Sequence, residues 1–330
     1  MATIRSVRTA EEIAAQAGSN IPFLRLPERS STFSGRAARL RTLAPGHAMQ
    51  GYLELIATVA EAQQALLDDM PPVRLPDAQS LERAREHGMP PLDHHTHARD
   101  PIWTDVLRRM LRRIGEASEG PVARIIARLE GERDELYEAQ ASKLLAGVSF
   151  GLDAATAPFI AAGLQVYYAH LAITLGEGAF APLEVAGLCP CCGAHPTASV
   201  VRIGGGEEGY RFLHCSLCGT EWHMVRIKCA HCEGTKGISQ FGLEGAKGSQ
   251  ATQPAAAPPA VLAETCDECG HYLKIGYMER DAGIEPCADD LATVALDILV
   301  AEQGREPTGV NFMLIHGDPE GASASEGGSS

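Results

Sequence analysis

Apolar residues fall at helical spacing through most of the first half of this chain. From about Ala48 to Asp69, Tyr52, Leu53, Leu55, Ile56, Val59, Ala60, Ala62, Leu66 and Leu67 recur mainly three and four residues apart, which puts them on one face of a helix. An earlier helical stretch begins near Arg36 and is interrupted at Gly46. Met70-Pro71-Pro72 stops the second, because proline lacks the amide hydrogen that the next turn would need. A Pro- and His-rich connection over residues 71–100 leaves room for a short helix near Ser80–Glu86. Trp103, Val106, Leu107, Met110, Leu111 and Ile114 then mark a helix from Pro101 to about Ile114. Its other side carries Arg108, Arg109, Arg112 and Arg113, read as a solvated face. Segments near Pro121–Leu129, Asp134–Leu145 and Ala155–Leu175 complete an all-helical region over residues 36–180. Ala154–Ile173 has no charged residue and is about one bilayer long. Because it holds Pro158, Gly163, Gln165, His170 and many alanines, it reads as a buried core helix, with no stable membrane insertion.

The pattern changes at Leu188. Short β-prone runs now alternate with glycine turns: Thr197–Ile203 faces Gly209–His214 across Gly204-Gly205-Gly206, a hairpin signal, and Thr220–Arg226 follows as a third strand. Residues 242–260 are low in complexity and predict a surface loop. Helical spacing returns over Asp289–Gln303, with Leu291, Val294, Ala295, Ile298 and Leu299 on one expected face. The tail from Pro319 has nothing to bury and predicts disorder. The expected class is therefore α+β: an N-terminal all-helical domain, then tandem rubredoxin-like or zinc-ribbon modules, then a C-terminal helix. The boundaries read as an irregular segment 1–35, a helical domain 36–186, ribbons 187–227 and 228–286, a C-terminal helix with a strand-like segment 287–318, and a tail 319–330.

Cysteine placement carries the chemistry. All ten cysteines follow residue 188, and eight form the pairs Cys189/Cys192, Cys215/Cys218, Cys229/Cys232 and Cys266/Cys269. Two intervening residues let a tight turn aim both thiolates at one ion, and two such knuckles complete a tetrahedral S4 site. Gly193, Gly219 and Gly270 follow the second cysteine of three knuckles, where glycine permits a positive φ. The string His214-Cys-Ser-Leu-Cys-Gly-Thr220 resembles Thr265-Cys-Asp-Glu-Cys-Gly-His271, and each comes second in its half. That repeat pairs the first knuckle with the second and the third with the fourth; interleaved pairing stays open. Disulfides fail because the first residues, Met1 to Gly18, show no export leader, and thiol exchange does not call for four pairs. The sites are thus two tetrahedral metal ions, each held by four cysteines, and S4 geometry suits both zinc and iron. With little aliphatic core expected over 187–285, that region should unfold without metal. Cys191 and Cys287 read as non-ligands, His94, His95 and His97 as a polar loop, and His214, His223 and His231 as packing residues or donors near the knuckles.

Composition then removes classes. The formal net charge is -14, and residues 187–285 hold eight Lys/Arg against eleven Asp/Glu, which argues against a nucleic-acid-binding ribbon. No phosphate loop, HExxH or GxSxG is present, and a closed S4 site has no open coordination position for chemistry. A non-catalytic binding or assembly protein needs no missing part. The runner-up is a thiol-exchange or sulfur-handling enzyme that uses Cys191 or Cys287.

The string LHCSLCGTEWHMVRIKC at 213–229, with CPCCG before it, AETCDECGHYLK after it and ADDLATVALDIL at 288–299, closely resembles the FdhE-type formate dehydrogenase accessory proteins. PFLRLP at 22–27 and GRAARLRTLA at 35–44 are similar to that family's N-terminal pattern. The resemblance implies a cytoplasmic, non-catalytic factor needed for active respiratory formate dehydrogenase. It implies contact with the molybdenum- or tungsten-containing catalytic subunit before export, and rubredoxin-like ribbons whose eight paired cysteines bind iron. Cys191 and the long insertion before Cys266 depart from the family pattern without removing a ligand.

Overall fold

A computed structural model of the chain describes residues 21–204, 209–243 and 258–314. The first 20 residues, Gly205-Gly206 of the expected hairpin turn, residues 244–257 of the low-complexity stretch and the tail expected from 319 lie outside the described residues.

The helical half contains α1 (Thr32–Leu43), α2 (Gln50–Asp68), α3 (Ala78–Glu86), α4 (Ile102–Glu116), α5 (Gly120–Glu130), α6 (Asp134–Leu145) and α7 (Ala157–Leu175). α2 and α4 follow the apolar spacing closely because each buries most of the stripe that spacing marked, whereas the short α3 buries no residue. In α4 the buried residues include Trp103, Val106, Leu107, Met110, Leu111 and Ile114. α7 is different: every residue from Ala157 to Ala172 is buried, and α2, α4 and α6 pack around it. It is long and apolar enough to cross a membrane by length and composition, yet 83% of that span is buried inside the protein. Small residues let neighbours come close. A Cβ on Gly163 would sit 3.1 Å from Leu107 Cδ1 of α4.

The arginine side of α4 is solvated at Arg112 and Arg113, as its pattern predicts, and tied to neighbouring carboxylates at Arg108 and Arg109. Arg108 pairs with Asp134 at 2.6 Å. Its guanidinium lies 4.9 Å from the centre of the Tyr137 ring. Arg109 pairs with Asp69, and Arg112 lies 3.6 Å from Glu130.

Among the described residues, the cysteine-rich half is built on one sheet of eight strands, not on two separate ones. The strands are β1 (Leu24–Arg25), β2 (Ala198–Val201), β3 (Arg211–His214), β4 (Glu221–His223), β5 (Ile238–Phe241), β6 (Val261–Cys266), β7 (His271–Tyr277) and β8 (Glu306–Pro307). Their order is β1-β4-β3-β2-β7-β6-β5, with β8 also on β7. β2 and β7 run parallel, Ala198 opposite Lys274 and Val201 opposite Tyr277, and this seam fuses the two ribbons. β1 comes from the stretch read as irregular: Leu24 pairs with Trp222 and Arg25 with Glu221.

Two expectations need correction. The sheet half has an aliphatic and aromatic core of its own, with Val200 and Phe212 under Ile284 and Val201 beside Ile275 and Tyr277. The expected helix over Asp289–Gln303 is two helices, α8 (Pro286–Ala292) and α9 (Val294–Ala301), broken at Thr293. The break rotates the second helix, so Leu296 and Val300 face inward while Ile298 and Leu299 are exposed.

α8 and α1 bring the two sequence strings GRAARLRTLA and ADDLATVALDIL together. Arg39 bonds Asp289 through Nε at 2.9 Å and through Nη2 at 2.6 Å, and reaches Asp281 at 2.6 Å. Arg36, fully buried, bonds Glu285 at 3.1 Å. Bidentate guanidinium–carboxylate pairs fix orientation as well as distance, so these contacts set how the helical half sits against the sheet.

Candidate metal centres

The four knuckles share one backbone device. In each, the residue after the second cysteine returns its amide to the carbonyl of the first: Gly193 to Cys189 (2.8 Å), Gly219 to Cys215 (2.9 Å), Glu233 to Cys229 (3.1 Å) and Gly270 to Cys266 (3.0 Å). All four residues have left-handed backbone, with φ of 74, 74, 59 and 76°. Glycine takes this conformation without the clash a Cβ brings, so Glu233 is the costly member, at about 1 kcal/mol. Its carboxylate has a use there: Oε1 accepts the Ala186 amide at 2.9 Å and Oε2 faces Lys228 Nζ at 3.3 Å.

The knuckles meet in sequence order. Cys189, Cys192, Cys215 and Cys218 gather in one group, and Cys229, Cys232, Cys266 and Cys269 in another. In the first, Sγ–Sγ separations are 3.5 Å (Cys189–Cys218), 3.4 Å (Cys192–Cys215) and 3.7 Å (Cys192–Cys218). In the second, Cys229–Cys269 and Cys232–Cys266 are both 3.7 Å. A metal–thiolate bond of about 2.3 Å in tetrahedral geometry gives an S–S edge of roughly 3.8 Å, so both groups fit tetrahedral metal sites. Charge points the same way. Burial pushes the Cys189, Cys192 and Cys215 thiols well above their ordinary value. Burial also opposes ionisation of Cys218, but the thiols donating to it hold it well below that value. Burial thus works against four thiolates side by side, and a bound cation would offset it.

The first centre is enclosed by the helical half. Its four cysteines are fully buried and belong to the same apolar core as α2, α4 and α7. Gln165 of α7 donates to the Ser216 carbonyl inside the second knuckle at 2.6 Å. The loop read as a polar histidine loop covers the first knuckle, which corrects that reading. The amides of Leu92 and His94 donate to the carbonyls of Cys191 and Cys192 at 2.9 Å each, and His94 Nδ1 lies 2.7 Å from the Cys192 carbonyl. His97 is half-buried, 3.4 Å from the Tyr167 hydroxyl. A Cβ on Gly193 would meet Pro90 at 3.0 Å, and one on Gly219 would meet Pro27 at 3.1 Å.

The second centre is open. Cys232 is exposed and Cys269 partly so, while Cys229 and Cys266 are buried. His231 and His271 stack with ring centres 3.5 Å apart, and His195, just past the first knuckle, stacks on His231 at 5.5 Å.

Neither odd cysteine is reachable from solvent. Cys191 is fully buried, with Thr220 Oγ1 at 3.2 Å from its sulfur. Cys287 is 2% exposed and lies 3.4 Å from His214 Nε2. His214, Glu285 and Cys287 form a third group with metal-ligand atoms. Arg36 already supplies its cation through the bond to Glu285. His214 therefore turns away from the knuckles. Its imidazole lies 3.5 Å from Glu221, and burial works against that carboxylate's charge, but His214 and Arg202 hold its pKa at about 2. Nothing in the residue spacing signals this cluster, because its members lie on β3, β4, α8 and α1.

Family models described as FdhE N-terminal, FdhE central domain and FdhE C-terminal domain match residues 21–184, 188–226 and 227–314. A Protein FdhE homolog from Pseudomonas aeruginosa is 41% identical over 304 residues, covering 92% of this chain and 96% of that one. A Protein FdhE homolog from Edwardsiella ictaluri is 40% identical over 321 residues, covering 94% and 99%. The crystal structure of the FdhE protein from Pseudomonas aeruginosa is similar with a TM-score of 0.76 at 38% identity, covering 90% of this chain and all of that chain.

Proposed function

The chain belongs to the FdhE family, and from that premise we propose that it is a non-catalytic maturation factor which docks the catalytic subunit of a respiratory formate dehydrogenase in the cytoplasm, before export. The observation that carries this reading is the closure of the first cysteine group: four buried sulfurs at tetrahedral spacing, locked into the helical core, with no position left for a substrate. A closed S4 site organises a surface; it does not run a reaction. In this reading the ligands are Cys189, Cys192, Cys215 and Cys218 at one centre and Cys229, Cys232, Cys266 and Cys269 at the other. The ion in each is iron, which family resemblance favours over zinc. It supplies folding energy and a fixed geometry, while the sheet and the helices around it supply the contact surface. Burial of Cys191 and Cys287 works against a thiol-exchange role.

The test is capture of the formate dehydrogenase catalytic subunit by the tagged full chain and by a Cys215→Ser/Cys218→Ser variant, with circular dichroism to follow folding. Wild-type capture that is lost in the variant supports metal-dependent docking. Equal capture by both would remove the metal from the docking role, and no capture by wild type would remove the docking itself.

A further inference from the structure

The two cysteine groups have the same ligand set but opposite surroundings. Every sulfur of the first is sealed: Cys189, Cys192, Cys215 and Cys218 have no exposed surface, and residues from three separate stretches of the helical half press on their knuckles. Pro27 lies against Gly219, Pro90 against Gly193, and Gln165 bonds inside the second knuckle. To open this centre, part of the main core must open with it.

The second group has no comparable roof. Cys232 is exposed, and the chain that leads from it, Thr235 to Gly237, is exposed as well. β5, which continues that chain, has three exposed residues out of four. The third knuckle is anchored on one side, where Ala230 is 3% exposed and joins the main apolar core, and its Cys232 side is held by polar contacts and ring stacking. The Glu233 carboxylate takes the Ala186 amide, the Gly237 carbonyl takes the Asp267 amide at 2.9 Å, and His231 stacks on His271. Local opening free energy follows buried apolar contact, so the Cys232 side of this knuckle opens at lower cost than the first two knuckles.

Exchange of a thiolate-bound metal is an associative ligand substitution. An incoming donor must reach the ion or displace a sulfur before the metal leaves. A sealed centre blocks that approach and an exposed sulfur permits it. We infer that the Cys229/Cys232/Cys266/Cys269 centre is an exchangeable site for a thiophilic divalent cation, while the Cys189/Cys192/Cys215/Cys218 centre is fixed. This rests on the reading of the eight cysteines as ligands. It makes the second centre the point at which metal supply acts on the protein. Metal loss there frees the Cys232 side of the third knuckle, while β5 stays paired with β6 and the parallel seam and the helical half stay in place.

The experiment uses the full chain loaded with Zn2+ under anaerobic conditions, challenged with a metallochromic chelator. Release is counted in equivalents against time, and iodoacetamide labelling is mapped by mass spectrometry. The expected result is two equivalents in total, one released at least about ten-fold faster than the other, with Cys232 and Cys269 alkylated during the fast phase. Equal release rates, or earlier labelling of the cysteines from 189 to 218, would overturn the inference and leave the ligand assignment standing. Less than one equivalent of bound metal would overturn both. Cys232→Ser gives a second reading: it should keep one slowly released equivalent and an intact helical signal. Loss of both equivalents from that variant, with the helical signal retained, would also overturn the inference.

Discussion

The side-chain amide of Gln165 donates to the carbonyl of Ser216 at 2.6 Å and, through its oxygen, accepts from Gln63 at 2.8 Å. A polar relay thus runs from α2 through the buried α7 to a cysteine knuckle. It joins the helical half to the first metal centre by direction as well as by apolar contact.

Replacing Gln165 with Leu should break that relay. It leaves a buried carbonyl and the Gln63 amide short of a partner, a loss of about 1–3 kcal/mol. Denaturant unfolding measures it. A midpoint equal to wild type would show that the relay carries no stability.

Arg211 and Glu264 form a buried ion pair at 2.9 Å, from β3 to β6. Arg211→Met strands a buried carboxylate and should cost about 3–5 kcal/mol. Adding Glu264→Leu should restore much of that, because an apolar pair needs no charge compensation. A double variant no more stable than Arg211→Met alone, in thermal melts, would contradict this account.

Glu233 sits in left-handed backbone at φ 59°. Glu233→Gly relieves about 1 kcal/mol of strain but removes the charge-assisted bond to the Ala186 amide, worth about 1.5–3 kcal/mol. The variant should be slightly less stable, and the Ala186 amide should exchange with solvent faster. Unchanged exchange at Ala186 would show that the carboxylate does not hold the knuckle.

Gly163 faces Leu107 so closely that an added Cβ would meet Leu107 Cβ at 3.2 Å, and that atom cannot swing away from its own backbone. Gly163→Ala should therefore destabilise by about 1–3 kcal/mol through overpacking, against roughly 1 kcal/mol gained in helix propensity. A higher melting temperature would show that α4 and α7 can part without cost.

His170 is kept neutral by burial and by Arg29, whose Nη2 donates to its Nδ1 at 3.1 Å, and its pKa falls to about 4. The folded value lies below the unfolded one, so the unfolded chain takes up the proton first as pH falls. The stability this histidine contributes is complete above pH about 6.5 and declines as pH falls toward 4. His170→Gln keeps an acceptor for Arg29 without the titration. Its melting temperature should fall less than that of wild type between pH 6.5 and 4, and parallel curves would rule the histidine out.

The helices are legible in the sequence because each repeats its apolar stripe over several turns; α2 needs only Leu53, Ile56, Ala60 and Leu67 to declare itself. The pairing of the knuckles is legible through the repeat around Cys215 and Cys266. Other features are hidden for physical reasons. Leu24–Arg25 is too short to show an alternation, and its partner Trp222 lies far along the chain. The face of α9 is misread because the turn at Thr293 resets the helical phase, which residue spacing alone does not record. The histidine loop looks solvated because its bonds to Cys191 and Cys192 are made by backbone amides, which every sequence has.

The parallel pairing of β2 with β7 also fixes an order of events. β2 is synthesised more than seventy residues before the strand that completes its ladder, and a parallel partner cannot be supplied by a hairpin. As the chain leaves the ribosome, the helices and the first two knuckles can come together while one edge of β2 still lacks its partner. That edge closes when His271–Tyr277 arrives, so the last quarter of the chain decides when the protein stops being a nascent one.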